Sequence, residues 1–236
     1  MRKIFVAAMK IGVASLASLV GWMIAGKILA LSLGAVGIGL FGLLRQLLQN
    51  LNVLATLNGQ NALVQGVSIR QEAARSQYVR SIFSLQLLFS GTVAAVLVLG
   101  APWIGPRLLP HPSSPELIRW LALAVVALSF QTYFTGLLTG HQALDKLVRS
   151  QMLGPLTVVL LALPMSALLR GGHPVGFVVM LFIPSLVVGT YQARLCIAGG
   201  WLTWRGTRWL AWEDAQSFLT MSLTILVAGL VVTSVD

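Results

Sequence analysis

Three observations predict an all-α polytopic membrane protein. Hydrophobic residues make up 57% of the chain and charged residues only 9%, and mean hydropathy is +0.86. These values lie outside the range of ordinary globular domains. Windows of mostly apolar residues, each about 20 long as a spanning helix requires, recur six or seven times along the 236 residues. The strong apolar–polar alternation of a membrane β-barrel is missing, so the backbone must satisfy its polar groups inside helices. One cysteine, Cys196, excludes an intramolecular disulfide and suits no Cys-rich metal site. The net charge of +10 does not indicate nucleic acid, because the basic residues are scattered singly at segment ends.

The first span is expected over residues 11–33, after the basic start Arg2, Lys3 and Lys10. A cleaved signal peptide is the rival reading, but Lys10 interrupts the apolar stretch and no clean small-x-small site follows. Gly34, Gly37 and Gly39 turn the chain into a second span over residues 36–67. A charged loop is expected over 70–80 and span three over 82–104, followed by a loop over 105–116 that holds four prolines and no helix. Spans four, five and six are placed at 117–138, 152–169 and 175–198. A charged stretch over 201–216 leads to span seven at 218–235.

Charge sets the expected orientation. Eleven of the 16 basic residues fall at one end of these spans and three (Arg107, Arg119 and Arg170) at the other, with Lys27 and Arg45 inside spans. The positive-inside rule then puts the N-terminus in the cytoplasm. Trp103 and Trp120 mark the outer interface, and Trp201, Trp204, Trp209 and Trp212 the inner one. Interfacial anchoring explains these rings better than sugar stacking.

The second span carries the candidate chemistry. Arg45, Gln49, Asn52 and Thr56 fall at i, i+4, i+7 and i+11, a narrow stripe on one helix face. Gln46, Asn50, Asn61 and Gln65 make a second stripe beside it. Such groups are costly in hydrocarbon unless they are paired or face a wet cavity, so this helix reads as the wall of a polar path. Arg45 lies too deep for easy snorkelling, and a cation without a carboxylate partner suits an anionic ligand such as phosphate. Lys27 is about one turn from the end of its span, where snorkelling and a cavity-facing role fit equally.

Other motifs carry less. Gly37, Gly39 and Gly42 spell G-x-G-x-x-G, but no strand precedes them and Gln60 and Asn61 stand where an acid is needed. The six acids lie in loops or at span ends, which leaves no buried carboxylate as a proton or sodium relay. His111, His141 and His173 lack metal-ligand spacing, and no catalytic triad or paired carboxylate stands out. Neither a cofactor nor an enzyme is indicated. Pro155, Pro164 and Pro184 interrupt spans five and six, as static kinks or as hinges and cavity walls.

The run GKILALSLGAVGIGLFGLLRQLLQNLNVLATLNGQNALVQGV over residues 26–67 resembles the start of the bacterial Wzx-type flippases, the O-antigen and lipid III translocases. The specific part is G-K-x-L-A-x-S-x-G-x-x-G-x-G-L followed by R-Q-L. These proteins form the polysaccharide transporter family of the multidrug/oligosaccharidyl-lipid/polysaccharide exporter superfamily. The lipid III type looks most similar, and weaker likeness in span order continues through span seven. The resemblance implies an inner-membrane flippase for undecaprenyl-pyrophosphate-linked oligosaccharide, serving O-antigen or enterobacterial common antigen assembly. It implies two six-helix lobes around a cationic cavity that opens alternately to each side. Lys27 and Arg45 would be cavity cations, and Gln46, Gln49, Asn52 and Asn61 its polar lining.

On this reading residues 1–199 are an N-terminal six-helix lobe and 200–216 a cytoplasmic interfacial linker. Residues 217–236 are then a seventh helix that begins a C-terminal lobe. The chain is expected to be a fragment of a longer product or a truncated copy that must pair. The expected partners are the lipid-linked oligosaccharide, the bilayer, and a second lobe or polysaccharide-assembly proteins, without nucleic acid. The alternatives are a drug or cation antiporter of the same superfamily, a non-transporting membrane scaffold and, with least support, a membrane glycosyltransferase.

Overall fold

A computed structural model describes residues 2–109, 113–202 and 211–233, and all regular structure among them is helical. Helix α1 (Arg2–Thr56) holds 55 residues. Run straight it would reach about 80 Å, far beyond a bilayer core of about 30 Å. It does not run straight. Gly34 has φ 68° and ψ −168°, a backbone state that a Cβ forbids, and the chain folds back there. The proof is the meeting of distant side chains: the rings of Trp22 and Phe41 lie 6.2 Å apart on opposite arms. The first two spans are therefore a helical hairpin with almost no loop. Of the three glycines expected at the turn, Gly34 makes it. Gly37 sits just inside the second arm, where any Cβ would collide with Leu33.

The second span is shorter than predicted. It ends at Thr56, and Leu57 and Asn58 take positive φ before α2 (Gln60–Ile69) begins. Asn61 and Gln65 thus belong to a separate short helix, and the second amide stripe is broken in two. Helix α3 (Glu72–Leu108) takes in most of the expected charged loop. It also runs past Pro102 and Pro106 into the proline-rich stretch that was expected to hold no helix. Helix α4 (Ser114–Gly140) opens with Pro115 in its first turn and Glu116 beside the positive end of the helix dipole.

Helices α5 (Leu144–Arg170) and α6 (Val175–Ala198) follow, joined through Gly172 at φ 82°. Helix α7 (Trp212–Thr233) closes the described chain. Trp204, Arg205, Arg208, Trp209 and His111, used above for orientation or weighed as ligands, lie outside the described residues. Five described helices are long and apolar enough to cross a membrane, and the first of them is the hairpin.

Helix α4 is the centre of the bundle, packed on α3 and α6 and flanked by α1, α2 and α5. Two hydrophobic cores are stacked along the bundle. One, toward Gly34, gathers Leu29, Phe41, Leu44, Leu121, Val125 and Phe177. The other, at the opposite end, gathers Leu63, Tyr78, Ile82, Tyr133, Phe134 and Phe218. Connectivity places residues 34, 108–109, 113–114 and 171–174 at one end, where Arg170 reaches Ser32 at 3.1 Å. The turns near 57–71 and 141–143 and the residues 199–202 share the other.

Candidate functional site

Between the two cores lies a polar layer. Asn52 donates through Nδ2 to Thr132 Oγ1 (3.3 Å) and accepts at Oδ1 from Ser129 Oγ (3.2 Å). Gln86 Nε2 donates to the Ser129 carbonyl (2.8 Å), so α1, α3 and α4 are tied through one point. Gln192, fully buried, donates to Ser150 Oγ (3.0 Å) and accepts from Thr135 Oγ1 (3.1 Å), which ties α4, α5 and α6. Buried amides with both ends paired pull helices together without an orphaned group.

Beside this layer the bundle is hollow. A cleft of about 790 Å³ is walled by both arms of α1 and by α4, α5 and α6. Trp22 lies twelve residues before the Gly34 turn and Arg45 eleven after it, so the hairpin brings them level. The Arg45 guanidinium carbon rests 4.1 Å from the Trp22 ring centroid. Stacking of this kind holds a guanidinium flat without consuming its N–H donors. Among the described residues no acid and no hydrogen-bond acceptor engages Arg45. At about 1.5 Å per residue it stands about 16 Å from either end of its arm, the mid-depth of a bilayer core. An arginine there with its donors unspent is set to meet an oxyanion.

The walls add polarity of a second kind. Gln49 from the second arm, Gln131 from α4 and Gln151 from α5 line the cleft, as do Ser15 and Ser18 from the first arm. Pro155 and Pro184 line it too. Each proline withdraws a backbone donor from the carbonyl four residues earlier, on Gln151 and Met180, which are themselves lining residues. Gly21 closes one edge: a Cβ there would sit 2.6 Å from that of Pro155, so only glycine lets the first arm press on α5.

Of the six residues expected from sequence, the structure brings Arg45 and Gln49 into this cleft. Asn52 is half-buried and spent on α4, and Thr56 below it is buried, its hydroxyl donating to the Asn52 carbonyl at 2.8 Å. Lys27, Gln46 and Asn61 are exposed and do not line the cleft. Sequence reasoning missed Trp22, Gln131 and Gln151. Gln131 carried the same signal as Arg45, a polar group inside an apolar span. Trp22 could be found only by counting equal distances from Gly34.

Asp214 and His141 sit at the end of the bundle opposite Gly34, not at the cleft. Asp214 of α7 pairs with Arg70 at 3.7 Å, and Arg70 also lies 3.8 Å from the Tyr78 ring centroid. Burial raises the Asp214 carboxyl above its ordinary range, and Arg70 opposes that rise. His141 stacks on Trp201 at 4.5 Å, with Lys146 on the same ring. Burial, and then the charge of Arg75, lower its pKa. Among the described residues no carboxylate lines the cleft.

The chain is 31% identical over 170 residues to the lipid III flippase of Escherichia coli (strain K12), and equally so to that of Shigella flexneri. Each match covers 70% of this chain and 40% of the relative, so the chain corresponds to well under half the length of these flippases. No solved structure matches it. Residues 1–233 match the family described as polysaccharide biosynthesis protein, and the chain belongs to that family.

Proposed function

We propose that this chain takes part in flipping an undecaprenyl-pyrophosphate-linked oligosaccharide across the bacterial inner membrane, for assembly of a surface polysaccharide such as O-antigen or enterobacterial common antigen. The observation that carries the reading is Arg45, an unpaired guanidinium at mid-depth in a cleft that also holds amides and hydroxyls. The membrane obstructs passage of the diphosphate, whose charge has no counterpart in hydrocarbon. A planar cation with free donors lowers that barrier by meeting two phosphate oxygens at once. The bias of basic residues toward one end of the spans in the sequence supports a cytoplasmic N-terminus. An acid-driven antiporter is less well supported, since the lining offers a cation and amides.

Arg45→Ala in the full product of the gene, expressed in a flippase-deficient strain, should abolish surface polysaccharide while leaving membrane levels of the protein unchanged. Arg45→Lys should restore part of it, since charge is kept and the planar two-point contact is lost. Full activity of Arg45→Ala would overturn this reading in favour of a scaffold.

A further inference from the structure

Amide side chains within this bundle fall into two populations. Asn52, Gln86 and Gln192, packed between helices, are consumed by neighbouring hydroxyls and carbonyls. Gln49, Gln131 and Gln151 are different: they reach one cleft from three helices, and among the described residues none has a hydrogen-bond partner. At membrane depth three unspent amides need a reason, because each is costly there unless something polar fills the space.

A primary amide presents two donors and a two-lone-pair acceptor. A diphosphate needs only donors, which Arg45 supplies. Groups that both give and accept hydrogen bonds are the complement of sugar hydroxyls and of an N-acetyl group. The cleft volume, about 790 Å³, falls within the range of sites that enclose one small ligand, roughly 300–1,000 Å³. That suits the linkage end of the substrate. We infer that Gln131 and Gln151, with Gln49, read the sugar adjoining the diphosphate and so decide which lipid-linked oligosaccharide is accepted. The inference rests on the reading in which Arg45 holds the diphosphate. Gln49 is one turn from Arg45 on the same face, so a ligand anchored at the guanidinium brings its first sugar ring against the amides.

The test is binding of two lipids to the full gene product in nanodiscs: undecaprenyl diphosphate, and the same lipid carrying one N-acetylhexosamine. Wild type should bind the sugar-bearing lipid more tightly. Gln131→Met and Gln151→Met keep side-chain length and remove hydrogen bonding. Each should weaken the sugar-bearing lipid about tenfold, the loss of one good hydrogen bond, and leave the sugar-free lipid within about twofold on the same scale.

Equal binding of the two lipids by wild type, or loss by the variants that is equal on both lipids or absent on both, overturns the inference. A matching change of selectivity in Gln192→Met, whose amide lies in the bundle and not in the cleft, overturns it as well. Arg45→Ala separates the two claims. It should weaken both lipids together, and if it weakens neither, or if wild type binds neither, the underlying reading of the site fails.

Discussion

Asn52 and Gln49 are three residues apart on one helix face and read alike in sequence, yet their surroundings give them opposite roles. Asn52 spends both ends of its amide on α4, whereas Gln49 lines the cleft with no hydrogen-bond partner among the described residues. Truncating Asn52 leaves Ser129 and Thr132 without their side-chain partner. Both hydroxyls can fall back on their own helix, as Thr132 already does toward Leu128 at 2.8 Å, which softens the loss. Asn52→Ala should therefore cost about 1 kcal/mol, as interhelical hydrogen bonds in membranes do. It should lower the melting temperature in detergent by a few degrees on the usual scaling. Gln49→Ala should leave the melting temperature in place and weaken ligand binding instead. Equal thermal losses for the two variants would contradict this division of labour.

The hairpin is the element on which the cleft depends. Gly34→Ala forces a Cβ into a conformation reserved for glycine, at a cost of about 1–3 kcal/mol. The strain falls where Trp22, Phe41 and Arg45 are brought together, so both stability and ligand binding should drop. Gly39→Ala is the control: its added methyl meets nothing within 4 Å. Trading glycine for alanine inside a helix is worth up to about 1 kcal/mol in favour of folding. A melting temperature that falls for Gly34→Ala and holds or rises for Gly39→Ala is the expected pattern. How much of this was legible follows from the same segment. A turn near Gly34 and the stripe running down from Arg45 could be read directly, because glycines and membrane-depth polar residues are strong local signals. The break at residues 57–59 was signalled by Asn58-Gly59 but lost to an apolar periodicity that continues on either side. The charges after Arg70 showed only that the chain leaves hydrocarbon there. They did not forbid helix, and Glu72, Ala73, Ala74 and Arg75 are good helix formers that let α3 start early. Gln131 and Gln151 gave no hint of a shared site, since their meeting depends on how α4 and α5 pack.

At the scale of the whole molecule, two apolar cores enclose a polar layer, and that order fits a slab of hydrocarbon only if the bundle stands upright in it. Trp103 and Trp120 are 72% and 43% exposed near the Gly34 end, as rings placed at a headgroup boundary should be. In the sequence, eleven basic residues fall at one end of the expected spans against three at the other, the bias on which the proposed cytoplasmic N-terminus rests. Reporter fusions that distinguish cytoplasm from periplasm should show this directly. Junctions after Arg70, after Gln142 and after Gly200 should report cytoplasm, and junctions after Ser113 and after Gly172 should report periplasm. The alternation also tests the hairpin. If residues 2–56 crossed the membrane once, Arg70 would lie on the side opposite the N-terminus, and every later junction would invert relative to it. A periplasmic signal at Arg70 together with a cytoplasmic one at Ser113 would therefore mean either a reversed orientation or a single crossing by residues 2–56, and the side on which the N-terminus lies separates the two: periplasmic for reversal, cytoplasmic for a single crossing.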